Sequence, residues 1–357
     1  MTKTNLNSKE SSIMNTLKKF SLVILMLALV VAENGFAGRG DKAGTAAAPM
    51  LLIPVGGRDL AMGGSTVANS YGIEAVHYNP AGVAWGKKQS EAIFSHMNYI
   101  ADIGVDYIGV SSRFGGFGTL ALTIKSLSIG SIPITTENNP DGTGETFSPQ
   151  FTTIGATYAN AMTDRISVGL TVNIISEQID RASSSGIGFD FGVQYKNFAN
   201  VGGLDLGVAI KNVGPQMQYE GPGLIRRGQV DDVIRASSYY ALTASKSELP
   251  SVIELGFAYK VDISEQSQLN LASIFQNQNL SDDEYKFGGE FVWDNTFFVR
   301  GGYNVSQQSY VDSYIFGATF GAGINQNFDG LDFTFDYAYR AVQFFDANHV
   351  FSIKLGF

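Results

Sequence analysis

Most of the chain, after about the first 90 residues, consists of segments in which apolar residues alternate with polar or small ones. In one segment Leu331, Phe333 and Phe335 alternate with Asp332 and Thr334. Because successive side chains of a β-strand point to opposite faces of the sheet, each segment predicts a strand with one apolar face. About 14 strands are predicted, beginning near Ser90, Ile103, Gly118, Phe151, Ile166, Gly186, Asp205, Val252, Gln268, Tyr285, Phe297, Tyr314, Leu331 and Asn348.

The lengths of these segments favour strands that cross a membrane. Most run about 9–12 residues, and two or three are longer. A tilted strand needs roughly 9–11 residues to cross a bilayer, whereas strands of water-soluble proteins are most often about 5–6 residues long. We therefore predict an all-β fold, a transmembrane antiparallel β-barrel of about 14 strands.

The connections between the segments alternate between short and long, which is typical of outer-membrane barrels. An even number of strands also places both chain ends on one side, expected to be the periplasm. The first connection, at residues 101–102, is short and does not fit, and a soluble exported β-sandwich or propeller is the alternative fold. The short connections lie at residues 115–116, 163–164, 197–203, 262–266, 294–295 and 326–330, and the longer ones at 137–149, 178–185, 213–250, 277–284, 306–313 and 343–347.

The last predicted strand ends at the C-terminal residue. Phe351, Ile353, Leu355 and Phe357 share one of its faces. A terminal Phe on an alternating strand resembles the signal that the barrel-assembly machinery recognises, and an unpaired strand can template its own addition by backbone pairing. The alternative is an ordinary edge strand that ends in Phe.

The N-terminus predicts export. Lys18 and Lys19 precede an apolar run at residues 22–32, which is followed by a small-x-small site at residues 35–37. This pattern is that of a signal peptide, so residues 1–37 are expected to be removed. Met14 is a second possible start, and an uncleaved membrane anchor is the alternative interpretation, although the run is short for a membrane span.

Composition narrows the function classes further. The chain has 41 Gly, 25 Phe and no Cys, which excludes a lipid anchor on a mature N-terminal Cys and a Cys-ligated zinc. The formal charge is −9, and removing residues 1–37, with four lysines and two glutamates, leaves −11. No basic cluster stands out, so nucleic acid is not expected as a partner.

The sequence offers little for chemistry. His77, His96 and His349 are far apart and show no metal-ligand spacing. The acidic run at residues 282–284 lacks the spacing of an EF-hand and is expected to be a solvated external loop. Without a Ser/His/Asp arrangement either, we expect no catalytic, cofactor or metal site and no enzymatic activity.

One predicted connection, residues 213–250, is long enough to suggest a function of its own. It contains tyrosines and arginines, residue types enriched where proteins bind proteins. We expect an external binding loop or lid whose candidate contact residues are Tyr219, Arg226, Arg227, Tyr239 and Tyr240.

Residues 54–85 carry a motif that precedes the first strand. Gly63 and Gly64 are followed by a predicted short helix at residues 70–76 and then by Asn79, Pro80 and Ala81. This pattern resembles the PorV/PorQ family of Bacteroidota, within the FadL-like superfamily. The resemblance implies a 14-stranded barrel with this segment folded inside as a hatch. The alternative for Asn79, Pro80 and Ala81 is a helix stop with a purely structural role.

The expected organisation therefore has three parts. Residues 1–37 form the signal peptide, residues 38–89 a linker and periplasmic hatch segment, and residues 90–357 the barrel. The linker is expected to be flexible up to Ala48, because its residues are small and polar. A barrel of this size has room for such a plug in its lumen.

The resemblance implies a protein of the cell outer membrane, with lipid and the assembly machinery as partners, and leaves two functions open. In the first, the barrel acts in type IX secretion as a partner of the translocon that binds or shuttles exported cargo. In the second, it is a FadL-like channel for uptake of hydrophobic small molecules. Neither the cargo nor the ligand follows from the sequence.

Overall fold

The computed structural model describes residues 42, 44–228, 238–306 and 314–357. The predicted signal peptide, residues 1–37, lies outside them. Within the described residues, fourteen antiparallel strands close into one barrel, in which the last strand pairs with the first. The strands are β1 Ser90–Asn98, β2 Gly104–Arg113, β3 Thr119–Ser128, β4 Gln150–Ala161, β5 Ile166–Ile179, β6 Ala182–Tyr195, β7 Leu204–Val213, β8 Val252–Asp262, β9 Ser267–Gln278, β10 Glu284–Trp293, β11 Phe297–Ser306, β12 Phe316–Phe328, β13 Leu331–Val342 and β14 Asn348–Gly356.

The barrel has its apolar face outside and its polar face inside. On β13, Phe335 is 36% exposed, whereas the adjacent Asp336 is 1% exposed and points into the lumen. Phe351 and Ile353 on β14 are likewise exposed, and Ser352 between them is buried. This inversion of the usual soluble pattern is that of a barrel surrounded by lipid. The fold class predicted from the alternation is confirmed.

The longest connections all lie at one end of the barrel, which also carries two short ones, at residues 99–103 and 180–181. We call the end that carries residue 90 and Phe357 the termini end, and the other the loop end. Two long connections at the loop end contain small ribbons: Ile132–Pro133 with Thr146–Phe147, and Ile225–Gly228 with Ser238–Ala241. The prediction of a long connection at residues 178–185 is wrong. Residues 180–181 alone join β5 to β6, because Asp180 adopts a left-handed φ of 50° that closes a tight turn.

Residues 46–86 form the hatch, which packs in the lumen as part of the same compact unit as the barrel, Gly38–Phe357. Its α-helices are α1 Gly57–Ala61 and α2 Ala75–Tyr78, and its 3-10 helices are Pro49–Leu52, Gly72–Glu74 and Pro80–Trp85. The helix predicted at residues 70–76 thus begins two residues later and ends at Tyr78. No described helix is both long and apolar enough to cross a membrane.

The linker was expected to be flexible up to Ala48, and this is wrong for its last two residues. Ala47 and Ala48 are buried, and they pack with Ile175 of β5 and Leu249. The amide of Ala47 also donates to the Glu248 carbonyl oxygen at 2.9 Å. Small side chains allow this backbone to pass close beneath the loop-end connection, so the ordered part of the hatch begins earlier than the composition indicates.

Candidate functional site

The inner wall of the barrel carries glycines where the hatch touches it. A Cβ atom added at Gly288 would lie 2.3 Å from the Met62 carbonyl oxygen, and one added at Gly207 would lie 2.3 Å from the Val67 carbonyl oxygen. At Gly169 it would lie 2.3 Å from the Pro80 carbonyl carbon. Since real contacts are never this short, only glycine allows the two backbones to approach here.

The predicted motif glycines form the turn that follows α1. Gly63 and Gly64 both have left-handed backbones, with φ of 69° and 71°. The amide of Gly64 donates to the Asp59 carbonyl oxygen at 2.9 Å, which ends the helix. A Cβ at Gly63 would also lie 2.7 Å from Asn304 Oδ1 on the wall. This turn therefore requires glycine for both conformation and space.

Asn79 ties the hatch to itself and to the wall. Its side chain is fully buried, and Nδ2 donates to the carbonyl oxygens of Val67, Val193 and Val208 at 2.8, 3.1 and 3.3 Å. Its Oδ1 accepts from the Ala81 amide at 3.1 Å, just after Pro80 begins the 3-10 helix. Asn79 thus lies against β6 and β7, and Pro80 and Ala81 lie against β5 and β6.

Buried ion pairs join the first hatch helix to the wall. Arg58 Nε lies 3.4 Å from Glu290 Oε2 on β10. The same oxygen accepts from Arg300 Nε of β11 at 2.7 Å, and Arg300 Nη1 donates to Asp336 Oδ1 at 2.5 Å. Removing one member of such a network leaves an uncompensated buried charge, so these residues specify where α1 lies.

A second buried ion pair holds the middle of the hatch. Lys354 Nζ on β14 lies 2.7 Å from Glu74 Oε2. Burial alone would raise the pKa of Glu74, but Lys354 and Arg58 together hold that pKa below its ordinary value. Glu74 is therefore a charged group that depends on these two cations.

A cavity of about 460 Å³ lies between the hatch and the loop end. Four wall cations line it, together with the carboxylates of Asp190, Glu254 and Glu284 and the hatch residue His77. A second cavity of about 460 Å³ shares Ile53 and Tyr99 with the first and is lined mainly by apolar side chains. The wall cations are Lys125, Lys211, Lys286 and Arg340.

We expect His77 to make the packing of the hatch in the barrel sensitive to pH. Burial, and then Lys125, Lys211 and Lys286, hold the pKa of His77 well below 6.5. An undocked His77 keeps an ordinary pKa of about 6.5, so below that pH the undocked state binds more protons and docking weakens as pH falls. We expect the protection factors of the hatch amides, which are corrected for the intrinsic exchange rate at each pH, to be lower at pH 5.5 than at pH 7.5, and His77→Gln to remove much of that difference. An equal pH effect in both proteins would contradict this role.

The predicted assembly residues lie on the lipid-facing side of the closing strand. On β14, Phe351, Ile353 and Leu355 alternate with inward residues. Phe357 follows the strand, and its amide donates to the Ser90 carbonyl oxygen at 2.8 Å. In the folded barrel β14 pairs along β1, so it presents no free edge. The role of these four residues as an assembly signal stays a prediction.

The structure brings four of the five loop candidates together. In the ribbon formed by Ile225–Gly228 and Ser238–Ala241, Arg226 pairs with Tyr240 and Arg227 with Tyr239. Tyr239 is 76% exposed. Tyr219 lies apart at the barrel rim, where its hydroxyl donates to Glu177 Oε2 at 3.0 Å. Tyr219 therefore helps to hold the base of the loop against the barrel. The exposed candidate residues are those of the ribbon.

The residues that sequence reasoning missed are the charged groups inside the lumen. Arg58, Glu290 and Lys354 have no local motif, and their only signal is a charge on the inward face of a strand or within the hatch. The described part of the chain holds no cluster of three His, Cys, Asp or Glu residues able to bind a metal ion.

Comparison with known proteins gives two kinds of likeness. The family model described as type IX secretion system protein PorV matches residues 37–230. The CymD monoaromatic hydrocarbon channel is similar in structure, with a TM-score of 0.51 and 13% identity over 85% of this chain and 97% of that one. The Pseudomonas putida toluene transporter TodX gives a TM-score of 0.50 and 12% identity over 83% and 96%. At such identities these likenesses show the fold alone. No curated protein sequence matches the chain.

Proposed function

The chain belongs to the PorV family of type IX secretion system proteins, and we propose that it serves that system as an outer-membrane partner which binds or shuttles exported cargo. Its fold and family place it in the outer membrane. The family and the structural relatives point to a non-enzymatic barrel or transporter.

The observation that carries the proposal is the hatch. It lies across the lumen and is tied to the wall by hydrogen bonds from Asn79 and by ion pairs from Arg58 and Glu74. A barrel held closed in this way suits a docking role, because docking uses the outer surface and needs no open pore. The wall glycines, which allow backbone contact with the hatch, also favour a hatch that stays in the lumen.

The ribbon at the loop end is the surface we assign to docking. It presents Tyr239 and Tyr240 with Arg226 and Arg227 across from them. Tyr and Arg are the residues most often found at binding hot spots, because they offer both a large apolar area and hydrogen bonds. The ribbon lies beyond the barrel wall, where a partner in the same membrane or a cargo outside it can reach it.

We expect the double variant Tyr239→Ser and Tyr240→Ser to lower recovery of the type IX translocon from native outer membranes by about tenfold or more, since loss of a hot spot costs that much. The matched control is Phe344→Ser with Phe345→Ser, which removes two exposed aromatic residues from another connection at the loop end. If the two double variants recovered equal amounts of translocon, the ribbon would not be the docking surface.

A channel for hydrophobic small molecules is the second candidate. The observation that favours it is the apolar cavity next to Ile53 and Tyr99, which has a volume in the range of small-molecule sites. The structural relatives CymD and TodX are a monoaromatic hydrocarbon channel and a toluene transporter. Uptake of a radiolabelled aromatic hydrocarbon by cells with and without the protein separates this function from secretion.

A further inference from the structure

Three polar side chains on neighbouring strands face the cavity in one row. Lys125 on β3 is the register partner of Tyr107 on β2 and of Thr153 on β4. All three point inward and line the cavity, and their exposed fractions are 4% for Tyr107, 5% for Lys125 and 6% for Thr153. The row is therefore built into the wall by the strand register.

The hydrogen-bonding capacity of this row is largely unused. The Thr153 hydroxyl has no partner in the described part of the chain, and the Tyr107 hydroxyl, although close to Thr123, makes no well-aligned hydrogen bond. Lys125 Nζ donates to the Ile53 carbonyl oxygen and forms no ion pair with any described carboxylate. Buried polar groups are normally satisfied, so two unpaired hydroxyls beside a lysine that uses one of its three N–H donors require an explanation.

The charges around the cavity do not balance. Lys211 is paired with Glu254 at 3.1 Å, and Lys286 with Glu284 at 3.3 Å. Asp190 is satisfied by neutral donors, Asn173 Nδ2 and the Asn212 amide, each at 2.7 Å.

The remaining cations are Lys125 and Arg340. Arg340 donates to Asn348 Oδ1 and lies over the Phe316 ring, 3.9 Å from its centroid, so its contacts are neutral. With neutral His77, the lining carries four cations against three carboxylates. A bound monoanion would balance this lining when Lys125 is protonated, and would in turn favour the protonated lysine.

We propose that this row, Tyr107, Lys125 and Thr153, binds a small oxyanion, the carboxylate or phosphate group of a ligand that enters the cavity. Two hydroxyl groups and one ammonium group all donate, which matches an acceptor-only anion, and hydrogen bonds to a charged group are the strong ones. The cavity volume of about 460 Å³ suits a small organic molecule. The site is independent of the docking role, because its test measures binding by the barrel alone.

The test is calorimetric titration of the purified full-length barrel, in a non-ionic detergent, with acetate, benzoate and inorganic phosphate in turn. We expect saturable binding of one anion per barrel for at least one probe. Lys125→Met should weaken it by about tenfold or more, and Tyr107→Phe and Thr153→Val each by a few fold. A stronger response to benzoate than to acetate would assign the ligand an apolar body, and a response to phosphate alone would assign a phosphate ligand.

The matched control is Lys260→Met, which removes a lysine that is half exposed and lies outside this cavity. It should leave binding unchanged. The shift of the folded barrel on an unheated gel checks that each variant is folded, and Tyr107→Phe carries the test if Lys125→Met fails to fold. Absence of saturable binding for all three probes, or equal binding by the wild type and the row variants, would overturn the site.

Discussion

Replacing Gly288 with valine is expected to destabilise the hatched barrel by about 3 kcal/mol or more, whereas Gly289→Val should have little effect. A Cβ at Gly288 would lie 2.3 Å from the Met62 carbonyl oxygen and 2.4 Å from Ser65 Oγ. At Gly289 the nearest atom is 3.6 Å away, on the outer face. Overpacking costs about 1–3 kcal/mol where side chains can shift, and here the obstacle is backbone.

Two measurements check this pair. Thermal unfolding in detergent gives the loss of stability, and limited proteolysis between residues 46 and 86 reports whether the hatch has left the lumen. The next strand shows the same pattern. A Cβ added at Gly302 would lie 2.3 Å from the Gly63 amide nitrogen, whereas the nearest atom to a Cβ at Gly301 would be 3.7 Å away. Equal effects at inward and outward positions would show that backbone contact with the hatch is not what these glycines provide.

Replacing Lys354 with methionine is expected to cost about 3–5 kcal/mol, because it leaves the buried Glu74 carboxylate without its partner at 2.7 Å. The pKa of Glu74, now held low by Lys354 and Arg58, should rise, so the variant should be less destabilised in acid. Adding Glu74→Gln to Lys354→Met should restore much of the loss. Thermal unfolding of the single and double variants measures this coupling.

The control for that ion pair lies nearby on the surface. Lys88 Nζ is 3.2 Å from Asp332 Oδ2, with side-chain exposures of 25% and 29%. Solvent screens such a pair, so Lys88→Met should cost less than about 1 kcal/mol. If both lysine variants lost the same stability, or if Glu74→Gln restored nothing, the buried ion pair would not be what holds the hatch.

The strands were predictable because each carries its signal locally. Alternation in β13 and β14 is set by residues two apart, and it places their starts at Leu331 and Asn348 as predicted. The turn at Asp180 was missed because the serines that begin β6 read as a polar loop. Their neighbours on β5 are polar too, so nothing in the local pattern separates strand from loop at that edge.

The candidate site was predictable only in part. The turn at Gly63 and Gly64 and the stop at Pro80 follow from backbone preferences of single residues, so the motif could be seen in sequence. The Arg58–Glu290 contact joins residues from distant parts of the chain, and the row of Tyr107, Lys125 and Thr153 depends on strand register. Alternation gives the face on which a side chain lies, but it does not give its cross-strand partner.

The most direct test of the proposed secretion role is export itself. In the native bacterium, the gene for this chain would be deleted and the location of type IX cargo measured by fractionation. We predict that cargo accumulates in the periplasm and that the intact chain, but not the Tyr239→Ser and Tyr240→Ser variant, restores it to the cell surface. Normal cargo export together with loss of uptake of a hydrophobic compound would contradict the secretion role and favour the channel.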